Sequence, residues 1–192
     1  MRRLSSHKLS CAFLTQFVAI SLFIDYRHFD AAKITPRYEF GFGLSYTIFK
    51  YSGLLIKPVV GGQDQDRWLE GNWAAGNPSP QVVGSSTALW LHRPAISVSF
   101  KVENTGAVAG TEIPQVYLHF PAHVGEPPSV LRGFTDVDLQ PSEAQRVTIT
   151  LSRYDLSIWD VVSQSWIRPA GTYSLSVGAS SRDFRLKGKI PV

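Results

Sequence analysis

Asp25, Arg27 and His28 stand almost side by side in Phe23-Ile24-Asp25-Tyr26-Arg27-His28-Phe29-Asp30. Asp25 and His28 are the types of an acid–base pair, and Arg27 of a carboxylate grip; the same residues also suit a loop tied down by hydrogen bonds. His119 and His123, with Glu126 close by, have the spacing that holds a metal on a helix. Pro121 between them argues for a turn instead, so no metal site is expected. Trp68, Trp73 and Trp90 fall in one irregular stretch, where indoles either stack on sugar rings or pack a loop onto its neighbour. Arg185, Lys187 and Lys189 alternate along one run, which places them on one strand face, as an anion site or as charges that keep an edge from pairing. Gly41-Phe42-Gly43 has no third glycine at Tyr46 and no helix pattern after it, which excludes a dinucleotide loop. Gly43-Leu44-Ser45-Tyr46-Thr47 lacks the last glycine of a nucleophile elbow. No catalytic residue, cofactor ligand or metal ligand is assigned.

The elements that must position these groups are strands. Tyr38-Glu39-Phe40-Gly41-Phe42-Gly43-Leu44-Ser45-Tyr46 sets two glycines among aromatic residues, a tight junction that launches a strand over about 44–56, with Leu44, Tyr46 and Ile48 on one face. A long loop follows at 58–94, rich in Gly and Pro. Clear alternation then runs through Ile96, Val98, Phe100 and Val102, closed by the turn Asn104-Thr105-Gly106. It returns at Val116, Leu118 and Phe120, where Pro114 marks a strand start, edge or bulge. Further runs are Val147, Ile149 and Leu151, then Tyr173, Leu175 and Val177, then Phe184, Leu186 and Ile190. Short alternating runs between turn residues predict an all-β antiparallel sandwich, with Phe100, Val102, Leu118, Ile149 and Val177 in its core.

At 192 residues the chain fits one domain, or one domain and a fragment, and is too short for a complete catalytic barrel of about 250 residues. Its 19 basic and 15 acidic residues are spread without a dense basic run, which argues against a nucleic-acid partner. Cys11 is the single cysteine, so no intrachain disulfide can form. Arg2, Arg3 and Lys8 precede a mostly apolar run at 9–24, a signal-like pattern too short for a membrane span.

The ordered motifs resemble the C-terminal part of fungal glycoside hydrolase family 3 β-glucosidases. They begin with the two stretches at 23–30 and 38–46. Val102-Glu103-Asn104-Thr105-Gly106-Ala107-Val108-Ala109-Gly110, Gln115-Val116-Tyr117-Leu118 and Leu131-Arg132-Gly133-Phe134 follow. Arg153-Tyr154-Asp155-Leu156-Ser157-Ile158-Trp159-Asp160 and Gly178-Ala179-Ser180-Ser181-Arg182-Asp183 complete the series. The resemblance implies a fibronectin type III-like (immunoglobulin-like) sandwich over 44–192, a strip of an α/β sandwich domain over 22–43, and a non-globular N-terminal extension. Residues 1–21 do not match, which points to a truncated gene or a misplaced first exon. The family's nucleophile and acid/base carboxylates belong to segments without a counterpart here. Asp25, Asp30 and Glu39 are the only acids of the 22–43 strip, and nothing places two of them across a sugar-sized cleft. The expected role is therefore accessory: a brace for the barrel and α/β domains of a secreted parent enzyme of β-glucoside or cellulose breakdown, with β-xylosidase descent as a variant. A second reading is a stand-alone module that binds carbohydrate or protein, and a third is a sequence with no independent function. On the first reading 1–30, lacking its own domain, should pack poorly against the sandwich.

Overall fold

The computed structural model describes residues 22–59, 89–162 and 165–190. The signal-like segment, Trp68 and Trp73 lie outside these residues.

Two antiparallel sheets face each other. One has the order β1 (Phe49–Pro58), β2 (Pro94–Asn104), β7 (Ala144–Ser152). The other runs β11 (Phe184–Lys189), β10 (Ser174–Gly178), β4 (Gln115–His119), β5 (Val130–Phe134). Two small ribbons complete the strands: β3 (Gly110–Glu112) with β6 (Val137–Leu139), and β8 (Ile158–Asp160) with β9 (Ser165–Ile167). This is the expected sandwich.

The inner faces follow from the pleat, which sends alternate side chains to one side. In β2, Ile96, Val98, Phe100 and Val102 are buried, while Ser97, Ser99 and Lys101 between them are only partly covered. Register puts Val98 opposite Ile149 and Phe100 opposite Val147. From the facing sheet, Val116, Leu118, Leu175 and Val177 close the core. All five core residues expected from the sequence are there. Burying one such aliphatic or aromatic side chain contributes about 1.5–3 kcal/mol. Pro114 stands immediately before β4, where its missing N–H costs no ladder bond.

The first strand begins later than its pattern predicts. β1 starts at Phe49, and its buried residues are Phe49 and Tyr51. Leu44, Tyr46 and Ile48 are 93%, 98% and 69% exposed. Their alternation is real but has no strand beside it among the described residues, because β2 ends its pairing with β1 at Phe49↔Asn104. Within β1 the register shifts between Ser52 and Leu55, and Gly53 has φ +64° there, the left-handed backbone of a bulge. Leu89–His92 form a single 3-10 turn that delivers the buried Leu91 to the start of β2.

The segment at 22–43 is a strap with one short helix, α1 (Tyr26–Ala31), and it is firmly docked rather than loose. Tyr26 is buried, stacked on Phe40 with centroids 4.5 Å apart and edge-on to Tyr117 of β4. Over 22–30 the expectation of poor packing fails, because aromatic area and specific hydrogen bonds, not a domain of its own, hold the strap; the rest of that expectation falls outside the described residues. Those bonds define the candidate site.

Candidate functional site

The strap lies across the end of the sheet β11–β10–β4–β5, where three polar anchors take it. The first is Gln115, at the start of β4 and 4% exposed. Its Nε2 donates to the carbonyls of Gly41 and Ala179, both at 2.9 Å, and its Oε1 accepts the Tyr117 hydroxyl at 2.6 Å. Gly41 has φ +76°, and a Cβ there would collide with the Gln115 carboxamide, so the close approach needs glycine.

The second anchor is the loop between β10 and β11. Ser180 and Ser181 are buried, and the Ser180 oxygen accepts the Arg182 and Asp183 N–H groups at 3.2 and 2.9 Å while its hydroxyl donates to Glu39. The Ser181 N–H donates to the Phe40 carbonyl at 2.9 Å. Arg182 reaches the Asp30 carboxylate at 2.9 Å and the Ile34 carbonyl at 2.7 Å. The third anchor is the Leu131 N–H of β5, which donates to the Tyr26 hydroxyl at 2.8 Å.

Beside the strap opens a cleft of about 460 Å³, with Phe42 and Thr47 on one side and Glu112, Asp183 and Arg185 on the other. Its floor is a polar cluster at the sandwich edge. Glu112 is 8% exposed and accepts the Tyr51 hydroxyl at 2.8 Å and Arg185 Nη1 at 3.4 Å. Arg185 also donates to the Phe49 carbonyl at 3.0 Å and pairs with Asp183 at 2.8 Å, its guanidinium lying over the Tyr51 ring. Burial, then the Glu112 charge, push the Tyr51 phenol well above its ordinary value. Burial opposes the Arg185 charge, but the Asp183 bond and charge, with Tyr51 and Glu112, together outweigh it and the guanidinium pKa rises.

Asn104 closes the other side. Fully buried, it accepts the Thr47 hydroxyl at 2.6 Å and the Gly106 N–H at 3.0 Å, and donates to the Val108 and Leu139 carbonyls. The Asn-Thr-Gly turn signal found the turn but not this role. An asparagine at a strand end satisfies backbone groups from separate segments only once those segments have met. Gln115 went unnoticed in the sequence for the same reason.

The other candidates disperse. His28 is exposed and edge-on to Phe29, while Asp25 serves through its backbone carbonyl, which accepts the His28 and Phe29 N–H groups as α1 begins. The structure therefore pairs Asp30 with Arg182, not Asp25 with His28. His119 uses Nδ1 on the Pro128 carbonyl and Nε2 on the Ser176 hydroxyl, at 2.7 and 2.8 Å, and His123 lies in a separate 3-10 turn (Ala122–Val124). Trp90 belongs to the 3-10 turn before β2. Arg185, Lys187 and Lys189 do share the outward face of β11, but Arg185 is committed to Glu112 and Asp183. No helix among the described residues is long and apolar enough to cross a membrane.

Comparison with known proteins agrees with this architecture. Residues 112–181 match the model of the fibronectin type III-like domain. A probable β-glucosidase L of Aspergillus fumigatus is 46% identical over 172 residues, which is 89% of this chain and 21% of that protein. A β-glucosidase of Pyricularia oryzae is 44% identical over 174 residues, 89% of this chain and 22% of that protein. Among solved structures, a β-D-glucoside glucohydrolase from Trichoderma reesei superposes with a TM-score of 0.76 at 38% identity, covering 100% of this chain and 24% of that one. A glycoside hydrolase family 3 β-glucosidase from Neurospora crassa gives 0.71 at 28% identity, covering 88% of this chain and 28% of that one. The chain spans about a fifth of the length of the curated relatives it matches.

Proposed function

We propose that this chain, homologous to the C-terminal part of family 3 β-glucosidases including their fibronectin type III-like domain, braces the catalytic domains of such an enzyme. The observation that carries this reading is the row Leu44, Tyr46 and Ile48. Three large apolar side chains stand exposed in the link between the anchored strap and β1, next to the half-exposed Phe42. Large apolar side chains exposed this close together in the chain mark a contact with another folded surface. Its partner is the barrel and α/β portion of the parent, which acts on terminal β-D-glucosyl residues and is secreted.

The chain carries no catalytic residue of its own on this reading. Asp30 and Glu39, two of the three acids of the strap, are spent on Arg182 and Ser180. A second reading, a carbohydrate-binding module, draws support from the cleft that Phe42 lines together with Glu112, Asp183 and Arg185.

The test replaces the corresponding C-terminal part of the Aspergillus fumigatus relative with this chain. Leu44→Ser/Tyr46→Ser/Ile48→Ser should leave the thermal midpoint of the isolated chain within about 1 kcal/mol of stability, since exposed side chains contribute little. The same change should sharply lower the yield and thermal stability of the composite enzyme. A composite indifferent to it removes the bracing interface. Saturable cellobiose binding to the isolated chain, lost in Phe42→Ala, would favour the second reading.

A further inference from the structure

A smaller cavity, of about 190 Å³, opens where α1, residues 36–40 and the loop between β10 and β11 meet. It shares no lining residue with the cleft. Four aromatic rings and Pro36 wall it: Tyr26, Phe29, Tyr38 and Phe40. Tyr26 is stacked on Phe40 at 4.5 Å and Tyr38 on Phe42 at 5.9 Å, so the wall is held by its own packing. An apolar wall with a few polar groups is the usual make-up of a small-molecule site. The volume, below the roughly 300–1,000 Å³ of drug-sized sites, suits a single ring. Three charged residues complete the lining: Asp25, Asp30 and Arg182. Arg182 gives Nε to Asp30 Oδ1 at 2.9 Å and Nη2 to the Ile34 carbonyl at 2.7 Å. Those bonds leave Arg182 Nη1 as a donor and Asp30 Oδ2 as an acceptor. The Asp25 carboxylate makes no capping bond to α1 and no ion pair or hydrogen bond with another described residue. Its backbone nevertheless sits at φ 60° and ψ −141°, a combination nearly confined to glycine. Glycine would supply the carbonyl that starts α1 without that strain, so the side chain is what the strain retains. Strained residues of this kind gather at ligand sites.

The charges select the class of ligand. Arg27 already lies over the Tyr26 ring at 5.7 Å and Arg37 over the Tyr38 ring at 5.9 Å. With Arg182 they set three guanidinium groups against two carboxylates, so an organic cation gains little here. Asp25 and Asp30 repel an anion. A wholly apolar ring would strip water from both carboxylates and give nothing back. A neutral ring that carries hydroxyl groups meets every demand: C–H faces for the aromatic wall, O–H donors for Asp25 and Asp30, and an oxygen acceptor for Arg182. We propose that this cavity binds one neutral pyranose ring. It lies apart from the cleft and from the row Leu44, Tyr46 and Ile48, and so rests on neither reading of the chain's function.

The site is tested on the 192-residue chain by following the Arg182 Nε–H and Ser181 amide signals in ¹H–¹⁵N spectra. Methyl β-D-glucopyranoside is titrated beside tetramethylammonium chloride and cyclohexanol. The glucoside should shift both signals saturably, with a dissociation constant on the order of 1 mM for so small a ligand. Asp25→Gly should weaken that binding about tenfold, the loss of one hydrogen bond to a charged group. The same substitution should raise the thermal midpoint, because glycine adopts the Asp25 backbone without strain. Phe42→Ala, which alters the cleft, should leave the glucoside bound. Absence of a saturable glucoside shift overturns the site, as does Asp25→Gly binding like the parent. A lowered midpoint in Asp25→Gly overturns the argument from strain. Tetramethylammonium or cyclohexanol acting as strongly as the glucoside overturns the ligand class. Binding lost in Phe42→Ala but kept in Asp25→Gly belongs to the cleft, so failure here and failure of the carbohydrate-module reading are told apart.

Discussion

Gln115 and Gly41 meet so closely that a methyl group on one would occupy the place of the other's carboxamide. The contact joins the first residue of β4 to a strap 74 residues earlier. Gly41→Ala must therefore move the Gln115 side chain or the strap, and must hold alanine at φ +76°. The backbone strain costs about 1–2 kcal/mol and the crowding about 1–3 kcal/mol. Urea unfolding should show a loss of about 2–5 kcal/mol with the slope unchanged. Gly43→Ala, where no atom lies near the added carbon, should be close to neutral.

Tyr26 carries the third anchor. Tyr26→Phe keeps the stacking on Phe40 but removes the acceptor of the Leu131 N–H. A buried donor left without its partner costs about 1–3 kcal/mol. Hydrogen exchange at the Leu131 amide should accelerate by the corresponding factor, while the amides of β2 keep their protection. Unaltered exchange at Leu131 would mean that the strap does not hold β5.

What the sequence showed about this fold, and what it hid, divides along a physical line. Alternation in β2, β4, β7 and β10 was plain because each has one face on the core, and a one-residue slip would expose Phe100 or Val177. The ribbons β3–β6 and β8–β9 have strands of three residues, too short for any period to register. At 44–48 the pattern misled, because alternation reports that a face is apolar, not that a strand lies beside it. The polar anchors were hidden for another reason. Gln115, Ser180 and Asn104 act between segments far apart in the chain, and local sequence holds no trace of which backbone groups they will meet.

Four buried tyrosines give the fold an alkaline limit. Burial raises the phenols of Tyr51, Tyr117, Tyr26 and Tyr173, with the Glu112 charge adding to the effect at Tyr51. An unfolded tyrosine titrates near pH 10, as a rough reference value. Above that pH the unfolded chain releases protons that the folded chain retains, so stability falls as pH rises. Below it both states are protonated and the tyrosines leave no slope. Urea midpoints measured from pH 8 to 11.5, roughly spanning that reference value, should be flat at first and then decline steadily. Tyr51→Phe should lower the stability at neutral pH, by loss of the Glu112 bond, yet make the alkaline decline shallower. A decline of unchanged steepness would remove Tyr51 from the titrating set.

The chain by itself should not hydrolyse β-glucosides. Retaining hydrolysis needs two carboxyl groups about 5–5.5 Å apart across the scissile bond, one as nucleophile and one as acid and then base. The acids of the strap have other duties: Asp30 holds Arg182, and Glu39 takes the Ser180 hydroxyl. Glu112 and Asp183, which line the cleft, are both paired with Arg185. Purified protein incubated with an aryl β-glucoside should therefore release no aglycone above the uncatalysed background. The control is Asp25→Asn/Asp30→Asn/Glu39→Gln. Turnover in the parent chain that disappears in this variant would establish a catalytic site in the strap and overturn its assignment as an anchor. Turnover that survives it would move the search to Glu112 and Asp183.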